Sequence, residues 1–281
     1  MLYNEVSELV GNTPIVKIDT YNDSKKKIFV KLEGCNPTGS IKDRLALGLI
    51  EKHVLTRKNK DLEVIGASGG SFGCALAFFG KLFGYSTKIV ANDKMKKDKR
   101  DFIKFFDGQI IDYPGSTIDG NNYCKELIEN DNSGRLVFLD QFHDWENPNV
   151  HYLTTGPEIV QDLPNIKAVV FCIGTSGSLY GISKFLKEYN EEIKIIGVTA
   201  KSGTKISGLY SFDDGDYITP FYKEFSKSGM IDEIIKVSEN EAKSGLLELR
   251  NKGLYTGICS GAVFEGLKKS RDIANLDGDI L

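Results

Sequence analysis

Ala168-Val169-Val170-Phe171-Cys172-Ile173-Gly174-Thr175-Ser176-Gly177-Ser178 is the stretch whose reading decides the fold. An apolar run of this length without a polar interruption reads as a strand covered on both faces. The Gly, Thr and Ser cluster breaks the run, and a helix-period stretch, Gly177–Glu188, follows it. A strand that hands over to a helix through a tight turn is the unit from which parallel sheets are built. Working outward, the same alternation recurs. Candidate strands are Ile28–Lys31, Val64–Gly66, Ser86–Val90, Gln109–Asp112, Lys194–Val198 and Asp232–Val237. Between them lie the helix-period stretches Leu45–Leu55, Gly73–Phe83, Lys94–Phe106, Cys124–Asn130 and Glu239–Lys252. The pattern predicts an α/β fold with parallel sheets.

The 281 residues are enough for one large or two medium domains. Hydrophobic content of 41% and charged content of 27% are those of an ordinary globular enzyme. A net charge of -3, with Lys and Arg well mixed among Asp and Glu, gives no footprint for nucleic acid. The 5 cysteines are widely spaced without a CxxC pair, which argues against a zinc site or a disulfide framework. His53, His143 and His151 lack metal-ligand spacing, so no metal is expected. No apolar run approaches the roughly 18 residues of a membrane span. The opening MLYNEVSELVGNTP has neither a basic nor an apolar signal region, so a cytoplasmic location is expected.

Chemistry gathers at the turns. Asn36-Pro37-Thr38-Gly39-Ser40-Ile41-Lys42-Asp43-Arg44 follows the strand-like Val30–Glu33. Ser40 reads as a helix N-cap, which puts Lys42 in the first turn, where the positive helix end lowers an amine's pKa. A lysine that forms an imine needs that neutral amine, whereas the charged Lys-Asp-Arg run taken alone also suits a surface. Gly174–Ser178 offers backbone amides and the hydroxyls of Thr175, Ser176 and Ser178 to an anion at a helix start. Ser68-Gly69-Gly70-Ser71-Phe72-Gly73 follows Val64–Ala67 and could hold a carboxylate. Gly257-Ile258-Cys259-Ser260-Gly261-Ala262 could present a thiol or hydroxyl to a ring nitrogen. Each loop in isolation suits an ordinary packing turn equally well. Neither GxxxxGK[ST] nor a GxGxxG with its acidic partner is present.

Taken in order, these segments resemble the O-acetylserine sulfhydrylase (cysteine synthase) and cystathionine β-synthase family of fold-type II enzymes that use pyridoxal 5′-phosphate (PLP). Glu8-Leu9-Val10-Gly11-Asn12-Thr13-Pro14, Gln141-Phe142, His151-Tyr152 and Thr154-Thr155-Gly156-Pro157-Glu158-Ile159 extend the resemblance over nearly the whole chain. It implies that Lys42 is the Schiff-base lysine and proton shuttle, and that Gly174, Thr175, Ser176, Gly177 and Ser178 form the phosphate cup. It implies a substrate-carboxylate loop at Ser68, Gly69, Gly70, Ser71 and Phe72, with Gln141 as a second carboxylate contact. Ser71 would also face the cofactor's phenolic oxygen, where the family usually has Asn. The pyridine nitrogen would meet Cys259 or its neighbour Ser260. A neutral partner there leaves a weaker electron sink, which favours β-elimination.

The implied architecture is tryptophan synthase β-like: two twisted, mostly parallel sheet domains with PLP in the cleft. The smaller would span residues 35–147, the larger 1–34 with 148–281, and two copies of the chain would form a homodimer. The chain stops at Asp277–Leu281, where the family continues through one more strand, so the last strand is expected to be missing. Gly215-Asp216-Tyr217-Ile218 looks more like the cystathionine β-synthases than the uncharged stretch of cysteine synthases. A carboxylate there repels bisulfide and accepts a proton from water or a thiol. The expected reaction is therefore loss of sulfide from L-cysteine through an aminoacrylate, with water or a thiol added at the β-carbon. Cysteine synthesis from O-acetylserine and sulfide stands as the alternative, with a catalytically silent regulatory homologue behind it. A solvated acidic loop is the plain alternative for Asp213, Asp214 and Asp216.

Overall fold

The computed structural model describes residues 2–18, 26–59, 61–92 and 94–281. Strands are β1 (Ile15–Ile18), β2 (Lys26–Lys31), β3 (Glu63–Ala67), β4 (Ser86–Ala91) and β5 (Gln109–Asp112). They continue with β6 (Leu136–Phe138), β7 (Ile166–Cys172), β8 (Lys194–Ala200), β9 (Glu233–Val237) and β10 (Gly278–Ile280). Helices are α1 (Lys42–Ile50), α2 (Ser71–Leu82), α3 (Lys97–Phe105), α4 (Thr117–Glu129), α5 (Glu146–Val150) and α6 (Gly156–Asp162). The rest are α7 (Gly177–Tyr189), α8 (Pro220–Lys227), α9 (Glu239–Asn251), α10 (Ile258–Lys269) and α11 (Arg271–Ala274). The chain forms two compact units, Met1–Thr13 with Glu33–Val150, and Pro14–Leu32 with His151–Leu281.

The first unit holds a parallel sheet in the order β5-β4-β3-β6. From Val64 to Ala67, β3 is buried throughout, because helices cover both faces. On one side Leu45 and Leu49 of α1 and Leu76 and Phe79 of α2 pack with Val64. On the other, Cys124 of α4 packs with Ile65, Ala67 and Val90. Ser116 caps α4 in a reciprocal box with Asp119, which explains why α4 begins a full turn and more before the apolar residues that mark it in the sequence.

The second unit holds a sheet in the order β1-β2-β10-β7-β8-β9, parallel except for the β1–β2 pair. Alternate residues of its apolar strands serve opposite faces. Ala168, Val170, Ile196 and Val198 meet Phe264 and Leu267 of α10. Val169 and Ile195 meet Leu179, Ile182 and Leu186 of α7. The missing last strand is a correction. Gly278–Ile280 form β10, parallel to both β2 and β7, and Ile280 is fully buried. Leu281 donates its N–H to the Ala168 carbonyl at 3.0 Å, so a very short segment suffices to fill the middle of the sheet.

Helices α9 and α10 cross where each carries a glycine. A Cβ on Gly261 would lie 2.2 Å from the Ala242 carbonyl, and one on Gly245 would lie 2.3 Å from the Gly261 carbonyl. Alanine normally gains up to about 1 kcal/mol over glycine inside a helix, but here it meets backbone, which cannot swing away. Gly261→Ala is expected to destabilise the protein by about 2 kcal/mol, read as a lower urea midpoint at unchanged slope. A midpoint at or above that of the parent protein would show that the crossing has slack.

Candidate active site

Helix α1 begins at Lys42, with Ile41 rather than Ser40 at the cap position. Ser40 still serves the helix start, because its Oγ accepts the Lys42 N–H at 3.2 Å. Consecutive helical residues point about 100° apart, so Asp43 turns away from its neighbour. Its carboxylate accepts the Thr38 N–H at 2.6 Å and also the Thr38 hydroxyl, which closes the Pro37–Ser40 turn against the helix. Burial pushes the Asp43 carboxyl up to about 6, against the opposing pull of the Thr38 hydrogen bonds.

Arg44 is 4% exposed, far from the surface position that a Lys-Asp-Arg run suggests. Its Nε and Nη2 each lie 2.9 Å from a Glu33 oxygen, a bidentate pair. Glu33 also accepts the Thr13 hydroxyl at 2.6 Å and the Asn36 amide at 2.8 Å. Asn36 Oδ1 in turn accepts the Gly11 N–H at 2.9 Å. The Gly11-Asn12-Thr13 arm and the turn before Lys42 are thus locked to α1 by one buried network.

In the Ser68–Phe72 loop, the turn from β3 into α2 is folded around a side chain. Ser68 is 2% exposed, and its Oγ accepts the N–H groups of Gly70 at 3.1 Å and Gly73 at 2.8 Å. Helix α2 starts at Ser71, with Gly70 at the cap and no capping side chain. Phe72 sends its ring into the core beside Leu76 and Phe79, so only its backbone remains for a ligand. Gln141 is 5% exposed and donates Nε2–H to the Ala67 carbonyl at 2.8 Å, which holds it against the end of β3. Asn147 donates to the Gln141 carbonyl at 2.7 Å and fixes it from behind.

In the second unit, Gly174 and Thr175 leave β7, Ser176 is left-handed at φ 70°, and α7 begins at Gly177, so Ser178 lies in its first turn. Glycine is required at 174 by close approach: a Cβ there would lie 2.7 Å from the Gly208 carbonyl. Ser176 Oγ donates to the Gly174 carbonyl at 3.1 Å. Cys259 and Ser260 lie in the first turn of α10, which the sequence presented only as a turn motif. The Cys259 thiol donates to the Ser207 carbonyl at 2.8 Å.

The structure sorts the three acids of the 213–216 loop. Asp213 pairs with Lys236. Asp214 accepts the Ser202 hydroxyl at 2.6 Å and the Gly203 N–H at 2.9 Å, and these bonds hold its carboxyl below the usual range. Asp216 is exposed and accepts the Ser211 N–H at 2.7 Å through one oxygen. Burial, with the Asp216 charge adding to it, pushes the Tyr210 hydroxyl well above its ordinary range.

Other titratable groups are accounted for by packing. Burial pushes Cys74 up to about 11 and Cys124 up to about 12, so neither suits a nucleophile. His53 meets Asp144 at 2.5 Å, His143 meets Asp140 at 2.8 Å, and His151 meets Thr155 at 3.0 Å. Sequence reasoning missed Thr38, Asp43 and Thr219. Thr219-Pro220 carries the N-cap and first-position proline of a helix start, a signal that was there to be read.

A family model described as pyridoxal-phosphate dependent enzyme matches residues 6–281. The chain belongs to that family. Cysteine synthase B of Salmonella typhimurium is 32% identical over 268 residues, covering 94% of this chain and 86% of the relative. The solved structure of a hydrogen sulfide-producing enzyme from Fusobacterium nucleatum superposes with a TM-score of 0.87 at 32% identity, covering 99% and 96% of the two chains. An O-acetylserine dependent cystathionine beta-synthase from Helicobacter pylori gives 0.83 at 30% identity, covering 100% and 94%. The protein is therefore a cysteine synthase-like, PLP-dependent enzyme of fold type II, with the α/β class expected from its sequence.

The residues present suit this cofactor. The Gly174–Ser178 loop offers a helix start to a phosphate, at a place where a side chain on residue 174 would have no room, while the Ser176 hydroxyl braces the loop from within. A lysine stands at the first position of α1.

The raised Asp43 carboxyl has a consequence for stability. The native state holds this proton to about pH 6, whereas the unfolded chain releases it near the ordinary aspartate value of 3.8. Between those values the native state binds more protons, so this group's contribution is complete below the lower value and is lost as pH rises past the upper one. The free energy of unfolding should fall by about 3 kcal/mol from this source, and the Asp43→Asn variant should not share the loss. Denaturant titrations of both proteins from pH 4 to 7 provide the check. Parallel curves would mean that Asp43 titrates normally.

Proposed function

We propose that the enzyme removes sulfide from L-cysteine and places water or a thiol at the β-carbon, forming L-serine or a thioether. Asp216 carries this reading. Of the three neighbouring acids, Asp213 is taken by a lysine and Asp214 by the 202–203 turn, whereas the Asp216 carboxylate bonds the Ser211 N–H within its own loop. An exposed carboxylate of this kind can take the proton that incoming water or a thiol must lose, a service that bisulfide does not need. Similarity to the hydrogen sulfide-producing enzyme supports the same leaving group.

In this reading Lys42 carries the cofactor and moves the α-proton. Gly174–Ser178 receives the phosphate, Ser71 faces the cofactor's phenolic oxygen, and Cys259 or Ser260 meets the ring nitrogen. The Ser68–Phe72 loop and Gln141 bind the substrate carboxylate. Bound PLP supplies the electron sink that makes the α-proton acidic. A neutral thiol or hydroxyl at the ring nitrogen keeps that sink modest and favours departure of the β-substituent. Cysteine synthesis from O-acetylserine and sulfide is the second reading, favoured by the curated relatives named cysteine synthase at 30–32% identity.

Borohydride reduction of the PLP-loaded protein should leave the cofactor's mass on the peptide containing Lys42, and Lys42→Ala should carry none. An adduct on another lysine would remove Lys42 from the role.

Incubation with L-cysteine should release sulfide and form serine, or a thioether when a thiol is added. Asp216→Asn should slow replacement by about a hundredfold while the α-proton of cysteine still exchanges with solvent deuterium. Unchanged replacement in that variant would exclude the carboxylate. Cysteine formation from O-acetylserine that outpaces sulfide release would favour the second reading.

A further inference from the structure

The segment from Ser207 to Thr219 is fastened at its start beside the Gly174–Ser178 loop, to Ile173 and Cys259, and at its end to the loop itself. At its start, the Gly208 carbonyl sits against Gly174, the Tyr210 N–H donates to the Ile173 carbonyl at 2.9 Å, and the Ser207 carbonyl receives the Cys259 thiol. At its end, Thr219 is 1% exposed and donates its hydroxyl to the Thr175 carbonyl at 2.8 Å. The Thr219 hydroxyl oxygen in turn accepts the Tyr222 N–H at 3.2 Å and so caps α8. Asp216 lies on the segment between these two fastenings, in a loop closed by its own contact with Ser211.

We propose that Thr219 is a positioning residue for the phosphate loop, and that its bond to Thr175 also ties the Asp216 loop to cofactor occupancy. The reason lies in the peptide unit. The Thr175 carbonyl and the Ser176 N–H belong to one planar trans peptide and point in opposite directions. A donor that holds the carbonyl on one side therefore aims the Ser176 N–H to the other. Ser176 is left-handed, a conformation that a non-glycine residue keeps only when its surroundings hold it there. The Ser176 hydroxyl, bonded back to the Gly174 carbonyl, and the Thr219 hydroxyl, bonded to the Thr175 carbonyl, fix consecutive peptides of the loop. Release of the Thr175 carbonyl would let that peptide rotate and turn the amide away from an anion. This inference rests on the assignment of Gly174–Ser178 as the phosphate site.

The test compares Thr219→Val, which has no hydroxyl, with Thr219→Ser, which retains it. In PLP titrations followed by absorbance, the Val variant should bind about fivefold more weakly, the worth of one hydrogen bond, and the Ser variant like the parent. The phosphorus resonance of bound PLP should move in the Val variant and return in the Ser variant. Loss of the α8 cap alone would lower stability with and without PLP equally and would leave that resonance in place. In the parent protein, PLP should slow amide hydrogen exchange across residues 211–222, a measurement that does not depend on any variant folding. Unchanged affinity and resonance in the Val variant, or exchange across 211–222 indifferent to PLP, would overturn the proposal. If the parent protein itself bound no PLP, or if its phosphate signal ignored changes at residues 174–178, the underlying site assignment would fall instead.

Discussion

Parallel pairing is the constraint from which both candidate loops derive. A strand that runs parallel to its neighbour cannot return by a hairpin, so its C-terminal end must lead through a crossover, usually a helix. β3 leads through Ser68–Gly70 into α2, and β7 leads through Gly174–Ser176 into α7. Each handover leaves orphan N–H groups at a helix start, beside a strand too buried to accept a charged side chain. Small residues at these turns follow from crowding as much as from chemistry. Ser68 must fold its own hydroxyl into the turn to satisfy Gly70 and Gly73, and Gly174 must leave room for the Gly208 carbonyl. The two candidate loops are thus two solutions to one packing problem.

Most of the fold was legible because buried parallel strands write long apolar runs. β3, β4, β7, β8 and β9, with helices α2, α3, α7 and α9, lie within a few residues of where periodicity places them. The elements that escaped have physical reasons in common. β1, β6 and β10 are short, and β10 is flanked by Asp277 and interrupted by Asp279, so no apolar run survives to mark it. Its place between β2 and β7 is set by tertiary pairing, which a local window cannot see. Helix α10 begins among glycines that permit the crossing with α9, and those glycines read as a turn. Helix α8 was announced by Thr219-Pro220, but its amphipathic stretch is brief.

The candidate site was legible in part for a different reason. Loops that must approach an anion are confined to small residues, and that confinement shows in a single sequence. What could not be read was which charges are buried. Lys42, Asp43 and Arg44 look alike on paper. Yet Arg44 is sealed against Glu33, Asp43 is fully buried and held by Thr38, and only Lys42 of the three remains half-exposed. Likewise, Asp213, Asp214 and Asp216 form one acidic cluster in the sequence, and their separation depends on Lys236 and Ser202, contributed by other segments.

The polar residues around Lys42 illustrate how a helix start can be made rigid by buried hydrogen bonds. The Arg44–Glu33 pair, satisfied by Thr13 and Asn36, gives little net stability when set against a well-packed apolar alternative, because desolvation offsets most of the attraction. What it supplies is geometry: it fixes the N-terminal arm, the turn and the first helical turn as one body. Asp43 adds to the same rigidity through Thr38, and burial raises its carboxyl toward neutrality. The first turn of α1 is therefore ordered by groups bonded to one another and to the preceding turn, and Lys42 rides on that fixed frame.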